Sequence, residues 1–574
     1  MPVPGTRDHV RPGRVWHRAR RHDEIEYGYD QSIIPSPHGV VPVRVSVVVP
    51  VFKPGLGFDE LMESFDRQSL GPDDLEVLLC DDGSGSPTRE RLEQIARARP
   101  HVRVLTLPHT GWPGTPRNHG IEAARGEYVF FADQDDRLFD DALEQLCDYA
   151  DRHASDVVIG REVGVGRRIP RGIFRRDIPH AVLGKDPILE LLTPHKLFRT
   201  SFLRSHGIRF PDGRVRLEDH LFVMQAYFRA RTISVLASQP CYAWVKHPGS
   251  ASASRIDPVT YFPHLEAVLD LVEANTEPGT LRDTLLRHWY RGKILGRLGG
   301  RRMLRYPADY RDLFLDVVIP IAQRRFTPAV EAGLAFPLRI RSALLRAGER
   351  EGLLHLAEFD AELDCRAEVT SARWTRAGKL ELTVEVRVLR EDRDALIFDV
   401  PETNAESSAG AGRERTSRPA IWRAPAGISD NLPSPDVLDA TRDLRRDRVE
   451  VLVRDVDGSE RRIQARPAQT RLPAVLTLDP LRFFGRSDIS TGGQLVTQVR
   501  HAGWSFDVPL RAEHTVLDGL GASPFLAGRT CRVVAGEDGS VQLRREWPGG
   551  RLRDLAARAI RRALGSVRQA LHRR

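Results

Sequence analysis

No stretch of this chain approaches the ~20 consecutive apolar residues that a membrane-crossing helix needs; the nearest candidate is the short segment 313–322. Cysteine is also sparse. Cys80, Cys147, Cys241, Cys365 and Cys531 stand without CxxC spacing or a nearby histidine pair. That argues against a zinc site or a disulfide framework and predicts reduced thiols in a cytoplasmic compartment. The basic opening, MPVPGTRDHVRPGRVWHRARR, has no apolar core behind it and is not expected to be a secretory signal. A strong excess of either charge is missing too: 86 basic against 78 acidic residues leave +8. Such a balance favours anionic partners without a nucleic-acid footprint, and no nucleic-acid partner is expected. At 574 residues, 41% apolar and 29% charged, the chain reads as a globular protein of two to four domains.

What is present is organised around residues 128–137, YVFFADQDDR, where an apolar run stops at closely spaced carboxylates. Residues 128–132 suit a buried strand, so Asp133 and Asp135 emerge together at its end. Carboxylates there can hold a hard cation such as Mg²⁺ or Mn²⁺, which takes oxygen ligands and commonly shares them with phosphates. The alternative is that Asp135, Asp136, Asp140 and Asp141 cap and solvate a following helix, expected over 138–153. Residues 45–49, 75–80 and 102–107 read as further strands, with helices over 58–68 and 89–99 between them. Apolar strands alternating with helices predict an α/β fold with a mostly parallel sheet, whose ligands bind beyond the strands' carboxyl ends. Asp82 and Asp133 both lie at such ends.

Five regions are expected: a basic extension over 1–43, the α/β domain over 44–257, a helical linker over 258–359, a β-rich region over 360–545 and a basic helix over 546–574. In the β-rich part Leu380, Leu382, Val384, Val386 and Val388 alternate with polar residues, the pattern of a half-buried strand. Asp457-Gly458 and Asp538-Gly539 each sit between apolar alternations and signal hairpins; one or two small sandwiches are expected. Residues 403–418, rich in Ser, Gly, Ala and charge, read as a flexible loop. In the last 24 residues eight arginines face one acid, Asp554. Such a helix suits either an anionic membrane surface or packing on its own β-rich region, and both readings stay open.

Val45 to Pro50, then Asp81-Asp82-Gly83-Ser84, then Pro116-Arg117-Asn118-His119-Gly120-Ile121, then Gly126-Glu127-Tyr128 into Asp133-Gln134-Asp135-Asp136, then Leu217-Glu218-Asp219, together resemble the inverting family 2 glycosyltransferases of the GT-A fold, over about residues 44–256. The resemblance implies a Rossmann-like sheet and a UDP-sugar donor. It implies that Pro50 and Asp82 line the base pocket, with Asp82 accepting a hydrogen bond from a uracil-type N–H, and that Arg117 and Asn118 sit beside the nucleotide. Asp133 is then the ribose contact, and Asp135 the ligand of Mn²⁺ or Mg²⁺ on the diphosphate. Asp219 becomes the general base that deprotonates the acceptor hydroxyl, with Glu218 beside it to orient it or bind sugar. His247 falls where these enzymes often place a group near the diphosphate or metal, and Lys196 is expected to be structural.

Six arginines at 161, 167, 168, 171, 175 and 176 lie between the metal and base motifs. They suit a phosphate-bearing acceptor, or equally a solvated loop. The Gly114-Thr115-Pro116-Arg117-Asn118 and Leu217-Glu218-Asp219 stretches, with a helical linker and a β-rich C-terminal half, resemble in particular the wall teichoic acid poly(ribitol-phosphate) β-N-acetylglucosaminyltransferases. The resemblance implies a cytoplasmic enzyme, peripheral on the inner membrane face, that moves a sugar such as GlcNAc onto a cell-envelope polymer. It leaves open the trimer seen in part of that family. Two other readings stand beside it: transfer to a capsular or extracellular polysaccharide or a lipid-linked glycan, and a non-catalytic protein that grips anionic polymer.

Overall fold

The structure, a computed structural model, describes residues 43–170, 172–247, 255–399, 419–454, 460–463, 473–480, 492–524 and 530–546. The basic extension before residue 43, the loop 403–418, Asp457-Gly458, Arg171 and the basic tail 551–574 lie outside the described residues.

Strand β1 (Val45–Val51) is buried at nearly every position, and a β-branched run with no wet face belongs in the middle of a sheet. It pairs in parallel with β2 (Leu75–Asp81) on one side and β4 (Tyr128–Phe131) on the other, and β3 (Val102–Thr106) extends the sheet beyond β2. Alternate residues feed two cores, Val48, Leu78 and Phe131 on one face and Val47, Val49 and Phe130 on the other. Helices α1 (Gly57–Asp66), α2 (Ser86–Ala98) and α3 (Gly114–Ala123) make the crossovers. Helix α3 lies so close to β1 that a Cβ on Gly120 would stand 2.2 Å from Val48 Cγ1.

Past β4 the sheet becomes mixed. Strand β5 (Arg137–Leu138) leads into α4 (Ala142–His153) and β6 (Val157–Val165), and β7 (Leu197–Arg199) precedes α5 (Thr200–Ser205), α6 (Glu218–Arg229) and β8 (Ile233–Val245). The order is β3-β2-β1-β4-β7-β6-β8-β5, with β7 antiparallel to both neighbours and β5 antiparallel to β8. The helix expected from Leu138 begins only at Ala142, because Arg137 and Leu138 pair with Ala243 and Tyr242. A distant strand claims the two residues that local periodicity assigned to the helix.

Helices α7 (Pro258–Ala274) and α8 (Thr280–Trp289) open the helical region. Leu265, Val268, Leu269, Leu285 and Trp289 belong to one continuous core with Phe131 and Phe222. This region is therefore packed onto one face of the sheet. No helix among the described residues is long and apolar enough to cross a membrane.

In the C-terminal part the alternation over 380–388 becomes a strand, Leu380–Arg390, whose apolar side enters a single core with Val451, Val453, Leu495 and Leu510. Ten of the described strands join into one sheet, and Phe398–Asp399 and Ile421–Trp422 pair separately. Thr530–Ala535 and Val541–Glu546 form the expected hairpin, with Gly539 at φ +75° supplying the left-handed turn residue.

Candidate active site

Pro50, Asp82 and Asp133 all stand at the carboxyl ends of neighbouring strands, Pro50 in register with Cys80 at the end of β2. The Asp82 carboxylate accepts hydrogen bonds from Thr110 N (2.8 Å), Thr110 Oγ1 (2.7 Å) and Gly111 N (2.8 Å). Asp82 therefore clamps the segment 109–111 that leads into α3, and only part of its Oδ2 lone-pair capacity is left for a ligand. Beside it the Phe52 and His109 rings stack with centroids 4.5 Å apart.

The stretch after β4 divides its acids among different tasks. Gln134 exchanges two hydrogen bonds with the Phe52 backbone, 2.8 Å from Phe52 N and 3.1 Å to Phe52 O, tying the end of β1 to this loop. Asp136 is not the helix cap that local sequence allows. It is buried, and accepts from Tyr242 Oη at 2.7 Å and Val245 N at 2.7 Å. Asp133 pairs with Arg117 Nη2 at 2.8 Å and His195 Nε2 at 3.1 Å. Although burial opposes it, the His195 and Arg117 charges hold the Asp133 carboxyl well below the usual range. Burial works against charge on His195 too, yet Asp133 and Glu162 push its imidazole up to about 10.

Ligand atoms of Asp133, Asp136 and His195 lie within 4.8 Å of one another, close enough to hold a metal ion. Their existing bonds nevertheless make them a brace for the loop, since a protonated imidazole donates and does not ligate. Asp135 differs. Its half-buried carboxylate has no ion pair and no side-chain hydrogen bond among the described residues. Burial and then the Asp133 charge push its pKa up, with His247 opposing. A carboxylate so placed fits a cation. His247, beyond the end of β8, reaches the same loop through its Nε2, 2.6 Å from the Asp135 carbonyl oxygen.

Arg117 and Asn118 come from α3, one turn in, and both are buried. Asn118 exchanges hydrogen bonds with the Phe210 backbone, 2.9 Å each way, and so ties α3 to the segment approaching α6. Arg117 spans two motifs: besides Asp133 it reaches Glu218 Oε1 at 3.6 Å. Its buried Nε and Nη1 have no hydrogen-bond partner among the described residues, and such donors suit an anionic ligand.

Glu218 and Asp219 occupy the first turn of α6, after Leu217, whose φ of +62° is an unusual left-handed value for a bulky residue. Burial and then Asp219 push Glu218 up to about 7, with Arg117 opposing. Burial raises Asp219 as well, against Lys293, Arg117 and Lys196. The Lys196 ammonium is fully buried, bonded to Thr193 O, and pushed down to about 8 by burial while Glu162 and Asp219 resist.

Phe52, Gln134, Glu162, His195 and Tyr242 escaped sequence reasoning. Only Gln134 carried a signal, as the middle residue of the acidic triplet; the others reach the site from distant positions. In the arginine-rich segment, Arg167 stacks on Trp244 at 3.8 Å, Arg168 pairs with Asp507 at 3.0 Å and Arg175 with Glu450 at 3.7 Å, linking it to the β-rich region.

Residues 46–209 match the glycosyl transferase family 2 model, and residues 258–357 the glycosyl transferase TarS linker domain. The chain is 31% identical over 236 residues to a poly(ribitol-phosphate) beta-glucosyltransferase of Bacillus spizizenii, covering 41% of this chain and 37% of that one. It is 32% identical over 256 residues to the poly(ribitol-phosphate) beta-N-acetylglucosaminyltransferase TarS of Staphylococcus aureus, covering 43% of this chain and 44% of that one. The matches thus span less than half the length of these relatives. The fold is similar to that of S. aureus TarS 1-349 in complex with UDP-GlcNAc, at a TM-score of 0.50 and 24% identity over 61% of this chain and 98% of that one. It is also similar to S. aureus TarS at a TM-score of 0.50 and 17% identity, covering 88% of this chain and 85% of that one. Sheet, site geometry and sequence agree: this chain carries a glycosyl transferase family 2 domain over residues 46–209 joined to a TarS linker domain over residues 258–357.

Proposed function

We propose that this chain is an inverting glycosyltransferase that moves a sugar from a UDP-sugar onto a poly(ribitol-phosphate)-type polymer. The observation that carries the reading is the bridge made by buried Arg117. It joins Asp133, at the end of a central strand, to Glu218, next to Asp219, and its buried Nε, without a hydrogen-bond partner among the described residues, is left to donate to an anionic ligand. Pro50 and Asp82 line the base pocket, with Phe52 and His109 as its aromatic wall. Arg117, with Asn118 behind it, faces the nucleotide, and Asp133 meets the ribose. Asp135, with His247 beside it, would hold Mn²⁺ or Mg²⁺, which when bound neutralises charge on the leaving diphosphate.

Asp219 accepts the proton of the acceptor hydroxyl as that oxygen attacks the anomeric carbon from the face opposite the diphosphate, which inverts the configuration. Glu218 holds Arg117 and so couples the base to the donor side. The arginines over 161–177 meet the acceptor's phosphates. A cytoplasmic location at the inner membrane face belongs to the same reading.

The test is UDP release from a panel of UDP-sugars, with poly(ribitol phosphate) or a neutral glycan as acceptor. Stimulation by the polyol phosphate alone is the expected result. Stimulation by the neutral glycan alone moves the reading to a polysaccharide transferase, and binding of polymer without UDP release in any arm sinks the enzyme. Within this scheme Asp82→Ala removes the clamp on residues 109–111. Its donor KM is expected to rise about 10–100-fold, the cost of lost charge-assisted hydrogen bonds, with a smaller change in kcat, as steady-state kinetics against UDP-sugar will read.

A further inference from the structure

The helical region reaches the proposed base from behind. Asp219 is followed by His220, which is buried and accepts a hydrogen bond at Nδ1 from the indole Nε1 of Trp289 at 3.0 Å. Trp289 is the last residue of α8 and is completely buried. A neutral imidazole that accepts at Nδ1 must carry its proton on Nε2. Nε2 is the nitrogen that faces Asp219 Oδ1, at 4.0 Å. The indole therefore decides which ring edge, and which hydrogen, is turned to the base.

The surroundings give this bond something to hold. Leu217, immediately before Glu218, keeps a left-handed conformation that is strained for a bulky residue and persists only where packing over-determines it. From the sheet side, Phe222 packs face to face on Phe210, centroids 3.9 Å apart. From the other side, the contact is Trp289 against His220. Directly after Trp289 the chain makes a wide π-helical turn over Tyr290–Ile294, a feature often found where a helix is re-aimed for function. Lys293 on that turn supplies the leading positive charge acting on Asp219.

We infer that Trp289 is a positioning residue: through its hydrogen bond to His220 it fixes the start of α6, and with it Asp219, so that the linker region completes the site instead of only joining it to the β-rich region. The inference rests on Asp219 being the general base. Aligning a base is felt in turnover more than in donor binding, because misplacement near 1 Å costs about 10²-fold in rate.

The experiment uses the full chain. Trp289→Phe removes the indole N–H together with the volume of its second ring, and is expected to lower kcat for sugar transfer about 10–100-fold with the donor KM and UDP affinity by calorimetry unchanged. His220→Asn, which keeps an acceptor for the indole, is expected to retain most of the turnover, whereas His220→Leu, which has none, should match Trp289→Phe. Thermal melts establish that each variant is folded at the assay temperature. Wild-type kcat in Trp289→Phe overturns the inference, as does a kcat loss that tracks loss of folded protein or of UDP binding, or equal losses in His220→Asn and His220→Leu. Failure of the wild-type chain to transfer any sugar removes the parent reading and this one with it; transfer by the wild type with an unaltered Trp289→Phe removes this one alone.

Discussion

Asp219→Asn is expected to lower kcat for sugar transfer by about 10²–10⁴-fold, the range contributed by a positioned general base, and to leave donor KM nearly unchanged. The substitution keeps the size and the hydrogen bond from His220 N, now 2.8 Å to the carboxylate, and removes only basicity. The same geometry predicts the pH profile. Glu218 and Asp219 are adjacent, partly buried and mutually repelling, so the pair holds a proton above the ordinary carboxylate range and titrates as a unit. Because the base must be unprotonated, kcat/KM should rise with pH through an inflection above the ordinary carboxylate range, as burial raises Asp219. For stability the sign is opposite. A carboxyl pKa raised by folding stabilises the folded state below its unfolded value, and that contribution is lost as pH rises through the folded value. Activity should thus increase over a range where the melting temperature does not. Full activity in Asp219→Asn, or an inflection near 4, would remove Asp219 as the base.

Asp135→Ala is the second large effect. Donor turnover, measured as UDP release with and without acceptor, is expected to fall by about 10²–10³-fold, and Mn²⁺ binding followed by electron paramagnetic resonance should weaken in parallel. Asp136→Asn separates the two roles in this loop. Asp136 bonds Tyr242 and Val245 inside the protein, so its substitution should reduce the melting temperature, by breaking buried hydrogen bonds worth roughly 1–3 kcal/mol each when left unsatisfied, more than it reduces Mn²⁺ affinity. Retained Mn²⁺ affinity in Asp135→Ala with loss in Asp136→Asn would move the ion to the cluster of Asp133, Asp136 and His195.

The acids of the central loop illustrate why the site was only partly legible. Asp133, Gln134, Asp135 and Asp136 are consecutive, and local pattern offers each the same two choices, ligand or cap. Partners from far along the chain divide them: Arg117 and His195 for Asp133, Phe52 for Gln134, Tyr242 and Val245 for Asp136. In the proposed scheme Asp135 is the one left for a cation, because the others are taken. Likewise the family motif offers Asp82 as a base contact, and in the fold its carboxylate also clamps residues 109–111.

By itself the amino-acid sequence determined the strand–helix alternation and the order of the motifs. Continuous apolar runs, period-two alternation and turn residues are local, and burial enforces them wherever the chain goes. Tertiary structure alone decided the mixed sheet beyond β4, the strand at Arg137–Leu138, the single ten-stranded C-terminal sheet, and the meeting of Arg117 with both Asp133 and Glu218. Charge states were decided there as well, since burial and neighbours up to about a hundred residues away set the protonation of His195, Lys196 and Glu218. These are sums over non-local contacts, and no window of sequence contains them.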